Sequence, residues 1–172
     1  MEAVPTPLEL PSSPAEAFAS LDAMRFDVAL LPIFEDVRPL RGVAAFLDWR
    51  EREWLSRILL DRSFAGAQET TLLTPARRSG YVQRVVLFGV GPWSDWGERA
   101  CGRFLDRALE VGAELGAGPS LLELPRYWSP SEREARLLWL CAYVSDSALV
   151  REGRLHAPQV VLSGPCGDPT GI

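Results

Sequence analysis

The chain has 172 residues, 47% hydrophobic and 24% charged, with a formal net charge of −5. That length and balance fit one globular domain with a substantial core. The acidic balance argues against a broad nucleic-acid surface, which needs clustered cations, and leaves room for a local basic patch; no apolar run nears the roughly 20 residues of a membrane span.

All 18 basic residues are Arg, and neither Lys nor Asn occurs anywhere. Schiff-base lysines, lysine general bases and the phosphate-binding lysine of Walker-type loops are therefore excluded. The start, Met1-Glu2-Ala3-Val4-Pro5, has neither the basic nor the apolar region of a signal peptide, so a soluble cytoplasmic protein is expected.

In chain order, Leu8-Glu9-Leu10 reads as a short edge strand, and Ser13-Pro14-Ala15-Glu16 as a capping box opening a short helix to about Leu21. The contiguous apolar run 26–34 predicts a strand covered on both faces, with Pro32 forcing a bulge or a change of pairing nearby. After a loop, residues 43–60 predict one amphipathic helix, with Leu47, Trp54, Leu55, Ile58 and Leu59 at helical spacing. Thr70 to Thr74 and residues 82–89 predict two strands joined through a turn at Ala76-Arg77-Arg78-Ser79-Gly80.

Ser94 is expected to cap a helix carrying the stripe Trp96, Ala100, Phe104, Ala108 and Val111. Residues 120–124 predict a short strand, and Ser129-Pro130-Ser131-Glu132 a second capping box. The helix it opens places Leu137, Cys141, Val144 and Ala148 on one face, flanked by Leu138, Leu140 and Leu149. Gln159 to Ser163 predicts a last strand, making 1–163 one domain, and the Gly- and Pro-rich stretch 164–172 reads as a flexible tail. Strands alternating with helices predict an α/β layered fold with a mixed, mostly parallel sheet.

The chemistry-bearing residues are sparse. Cys101, Cys141 and Cys166 form no CxxC pair, so neither a zinc ribbon nor a thioredoxin-type site is suggested; Cys101 and Cys141 fall on apolar helix faces as inert thiols. One histidine, His156, cannot build a multi-histidine metal site, and the scattered carboxylates suggest no two-metal centre. No catalytic residue, metal or cofactor is assigned. Asp27 and Asp36 flank the first long strand as unsupported general-acid candidates; Asp48 and Arg41 are a candidate buried pair orienting the loop before the first long helix, with anion binding the alternative role of Arg41. Gly89, Val90 and Gly91 form a candidate ligand loop at a strand end before a helix, where backbone N–H groups can face an anion. Among six tryptophans, Trp54, Trp96 and Trp139 read as core, and Trp93 and Trp128, in loops beside helix starts, as a candidate interface.

The order of these pieces over 26–91 resembles the N-terminal domain of the cytosolic leucine aminopeptidases. Asp27 to Glu35 resembles that family's first long strand. Pro39-Leu40-Arg41-Gly42 followed by Leu47-Asp48-Trp49 resembles its gly-x-x-x-x-leu-asp segment, and Leu55 to Leu59 its following helix. Phe64-Ala65-Gly66 with Thr71-Leu72-Leu73, and Arg84 to Gly91, resemble its next two strands. The resemblance implies a macro-domain-like three-layer αβα fold. It also implies a stand-alone domain lacking the family's catalytic part, which uses a lysine and an asn-thr-asp-ala-glu-gly-arg motif absent here. A non-catalytic accessory role follows as the expectation, through a protein partner or a homo-oligomer. The alternative is a macro-like module binding a nucleotide such as ADP-ribose, or another anion, near Gly89 to Gly91, although the usual macro-domain asparagine cannot be present.

Overall fold

A computed structural model describes residues 6–9, 14–76 and 80–164. The capping-box residue Ser13, the Arg77-Arg78 turn, Cys166 and the tail beyond Gly164 lie outside the described residues.

Among the described residues six strands form one sheet: β1 (Leu8–Glu9), β2 (Phe26–Phe34), β3 (Thr71–Pro75), β4 (Val82–Gly91), β5 (Ser120–Pro125) and β6 (Gln159–Ser163). Their order across the sheet is β1-β6-β5-β2-β4-β3. Only the β3–β4 pair is antiparallel; the others run parallel. Helices cover both faces, as a parallel sheet requires. On one face lie α1 (Pro14–Asp22), α2 (Gly42–Arg50) and α3 (Trp54–Leu60), which bury Leu21, Phe46, Leu47 and Leu55 against Ala29, Leu31, Val85 and Leu121. On the other lie α4 (Glu98–Glu114) and α5 (Arg133–Asp146), whose Phe104, Leu105, Leu140 and Val144 meet Leu30, Val86, Leu122 and Val160. A short α6 (Ala148–Arg151) follows. Alternation of Leu30 and Leu31 between the two cores is the period-2 rule acting in a strand buried on both sides. The fold is therefore the expected three-layer αβα arrangement with a mixed, mostly parallel sheet.

Three local expectations are corrected. The helix expected over 43–60 is two helices: Arg52 and Glu53 adopt positive φ (57° and 61°) and turn the chain between them. Hydrophobic spacing continues through this turn because both helices lie on the same core, so periodicity could not reveal the break. The helix expected after Ser94 starts at Glu98 with Gly97 as its cap, behind a 3-10 turn at Trp93–Asp95. The helix from the second capping box stops at Asp146, and it buries Leu140 and Val144 while Leu138 is exposed and Cys141 half-buried. Pro32 has the expected effect: the β2–β5 ladder ends at Leu30, and the β2–β4 register shifts between Ile33 and Phe34.

Candidate functional site

The adjacent strands β2 and β5 send their chains to opposite faces of the sheet, β2 into α2 and β5 toward α5. In open α/β sheets this switch point, beyond the carboxyl ends of the strands, is where ligands bind. Here β2 and β5 pair only from Val28 to Leu30, so their ends diverge and leave a gap.

One side chain of the protein reaches into that gap. Glu123 sits in the middle of β5, 2% exposed. Its carboxylate accepts the Val43 N–H at 2.9 Å and the Ala44 N–H at 3.3 Å. These are among the first N–H groups of α2, which have no partner inside the helix, and the helix dipole favours negative charge there. Gly42 makes the approach feasible: a β-carbon on it would lie 1.9 Å from a Glu123 carboxylate oxygen and 2.7 Å from Ser163 Cβ. Burial pushes the Glu123 carboxyl up to about 7, against the opposing pull of its hydrogen bonds to Val43, Ser163 and Ala44. The remaining cavity, between Phe34, Leu40, Arg41, Ala44 and Glu123, measures about 20 Å³, room for about one water. Glu123 escaped the sequence reading, although a lone acid inside the apolar run Leu121-Leu122-Glu123-Leu124 was its signal.

A larger cleft, about 310 Å³, opens between the carboxyl end of β4, the stretch before β3 and α4. Phe88, Val90 and Phe104 form its apolar side. Thr70, Arg103 and Arg107 stand at its polar side with Gln68 and Glu69. Both arginines are exposed, and Arg107 lies 3.5 Å from Glu110.

The expected ligand loop is the last three residues of β4. Gly89 and Val90 line the larger cleft, and Gly91 does not. Gly89 lacks a side chain because the turn at 67–70 lies on it: a β-carbon would sit 1.9 Å from the Ala67 carbonyl oxygen. Trp93 and Trp128, the expected interface, are both half-buried against the core. Trp93 packs edge-on to Phe34 at 5.0 Å, and its backbone N–H donates to the Asp36 carboxylate at 2.8 Å. Trp128 packs edge-on to Tyr127 at 5.1 Å. Trp96 is buried and donates its indole N–H to the Pro125 carbonyl, while Trp54 and Trp139 are half-buried. The most exposed tryptophan is Trp49, at 61%.

The other candidates are structural. Asp27 accepts the Gly118 N–H at 2.8 Å, at the sheet end opposite the switch point. Asp48 turns its carboxylate onto the Ser56 N–H and hydroxyl, and Arg41 stands at the cap of α2, lining the small cavity. The structure does not bring Asp27 and Asp36 together, since they sit at opposite ends of β2. Cys101 is buried, and desolvation pushes its thiol up to about 12. No group of three or more His, Cys, Asp or Glu suited to a metal exists among the described residues. Nor, among them, is any helix long and apolar enough to cross a membrane.

No family model matches the sequence, and no curated protein matches it. Solved structures do resemble it in fold. A mutant of tomato leucine aminopeptidase superposes over 98% of this chain with a TM-score of 0.57 and 13% identity. The chain spans about a third (34%) of that enzyme's length. A Trypanosoma brucei macrodomain, solved in complex with ADP-ribose, matches over 95% of this chain and 73% of its own, with a TM-score of 0.52 and 18% identity. At such identities the likeness is one of fold, a macro-domain-like αβα arrangement.

Proposed function

We propose that this chain is a non-catalytic accessory domain, similar to the N-terminal domain of leucine aminopeptidases, that works through contact with protein. The observation that carries the reading is Glu123. Its carboxylate already occupies the helix N-terminus at the switch point, where a nucleotide phosphate would otherwise be drawn. An incoming diphosphate such as that of ADP-ribose would meet a filled site and an acidic group. Aminopeptidase chemistry has no lysine to use in these residues. For contact, the outer layer offers Trp49 on α2 and Leu60 on α3, the latter 81% exposed. The half-buried Trp93 and Trp128 would add only their outer edges.

Calorimetry with ADP-ribose is expected to give no heat, and sedimentation velocity to show self-association that Trp49→Asp weakens. A strict monomer that binds ADP-ribose would replace this reading.

The second reading, an anion-binding module near Gly89 to Gly91, is favoured by the 310 Å³ cleft, which Gly89 and Val90 help to line beside two arginines. A phosphate titration followed by amide NMR tests it, with shifts expected in residues 88–90 and 103–107.

A further inference from the structure

The cleft beside α4 combines two features that a simple phosphate site lacks. Its size, about 310 Å³, lies at the lower end of small-molecule sites, which run roughly 300–1,000 Å³. Its inner wall is apolar and partly aromatic: Phe88 and Phe104 meet edge to face with centroids 5.5 Å apart, and Val90 continues the surface. Such a wall adds nothing to the binding of a bare inorganic ion.

The cleft's charge is one-sided. Arg103 and Arg107 stand one helical turn apart on α4, so their guanidinium groups project along the same side. Among the described residues no carboxylate comes within ion-pair distance of Arg103, and Arg107 meets only the exposed Glu110 at 3.5 Å. Glu69 is the one acid on the lining, against these two cations. Guanidinium groups bind carboxylate and phosphate in a fork, with two parallel N–H donors. The Thr70 hydroxyl already donates its proton to the Ala67 carbonyl, so the donors for an anionic head are the two guanidinium groups.

We infer that this cleft binds a small amphipathic organic anion, with a flat or short hydrocarbon body against Phe88, Val90 and Phe104 and one carboxylate or phosphate head on Arg103 and Arg107. The inference rests on the second reading above and makes it narrower: the body contributes as well as the charge. The internally filled switch point is not involved.

The test is a set of amide NMR titrations of the full chain with 3-phenylpropionate, phenyl phosphate, neutral 3-phenylpropanamide and inorganic phosphate. The two aromatic anions are expected to shift amides in residues 68–71, 88–90 and 100–107. They should bind about tenfold more tightly than either the neutral amide or inorganic phosphate, about 1.4 kcal/mol. Which aromatic anion binds better distinguishes the two head groups. Arg103→Glu, at an exposed position that leaves the core untouched, is expected to weaken both by about tenfold or more. Inorganic phosphate binding as tightly as phenyl phosphate overturns the inference while leaving an anion site standing. No shift with any anion at millimolar concentration overturns both. Shifts that Arg103→Glu leaves unchanged also overturn it.

Discussion

Glu123 occupies the space that a side chain on Gly42 would need: a β-carbon there would stand 1.9 Å from the carboxylate oxygen. Gly42 also holds φ at +60°, in the left-handed region where L-residues cost roughly 1–2 kcal/mol. Gly42→Ala therefore combines backbone strain with an overlap that the buried carboxylate can relieve only by leaving the Val43 and Ala44 N–H groups. The expected loss is about 3 kcal/mol or more, read from urea midpoints. In a double-mutant cycle, adding Glu123→Ala should cost less than the sum of the two single changes, because one change makes room for the other. Strict additivity would mean that the two residues do not compete for this space.

The same carboxyl gives stability a pH dependence of definite sign. Its folded value, about 7, lies above the ordinary 4.5. Below about pH 4.5 the acid is protonated folded or unfolded, and it has no effect on the balance. Between those values the folded form holds a proton that the unfolded form has lost, so stability falls as pH rises. Above about pH 7 the loss is complete, on the order of 3 kcal/mol. Glu123→Gln removes the titration, so its stability should gain on the wild type between pH 5 and pH 8, apart from a constant offset. Parallel unfolding curves for the two proteins across that range would contradict the assignment.

Much of the fold was legible because burial on both faces leaves a direct trace. The run Val28 to Leu31 reads as a covered strand and residues 82–89 as a second strand, and both lie inside the sheet here. Pro32 announced a disturbed ladder, and the pairing does change around it. The helix break at Arg52 and Glu53 carried no Gly or Pro, so its left-handed turn had no local signal. The site was less legible. Gly89 to Gly91 drew attention as a strand-end glycine pattern, whereas Gly89 is small because a turn lies across it. Glu123 and Arg103 acquire meaning only from what is packed beside them, since hydrogen bonds to α2 and a cleft beside α4 arise between elements distant in sequence.

Gly89 and Gly91 should respond differently to the same change. Gly89 is crowded, with Thr70 Oγ1 2.2 Å and the Ala67 carbonyl oxygen 1.9 Å from where a β-carbon would lie. Gly91 is open, with nothing nearer than Gln68 Cβ at 3.8 Å, but it holds φ at +79°. Gly91→Ala should cost only the conformational term, roughly 1–2 kcal/mol. Gly89→Ala must displace backbone and should cost more, with the largest amide shift changes in residues 67–70. Equal losses for the two variants would show that the turn yields freely.

Asp48 performs the capping that the start of α3 otherwise lacks. Glu53, at the cap position, lies in the left-handed region and provides no side-chain bond to the helix. The Asp48 carboxylate, from the preceding helix, accepts the Ser56 N–H at 2.9 Å and the Ser56 hydroxyl as well. Ser56 is the third residue of α3, so its N–H is one of those without an intrahelical partner. Asp48 is itself buried, and removing it leaves that donor unpaired at a half-buried position. Asp48→Ala is expected to cost about 1–2 kcal/mol, or a fall in Tm of about 2–8 °C for a chain of this size. Asp48→Asn keeps one acceptor oxygen and should recover part of the loss. If Asp48→Ala leaves Tm unchanged, the two-helix arrangement is held by the Leu47 and Leu55 packing alone.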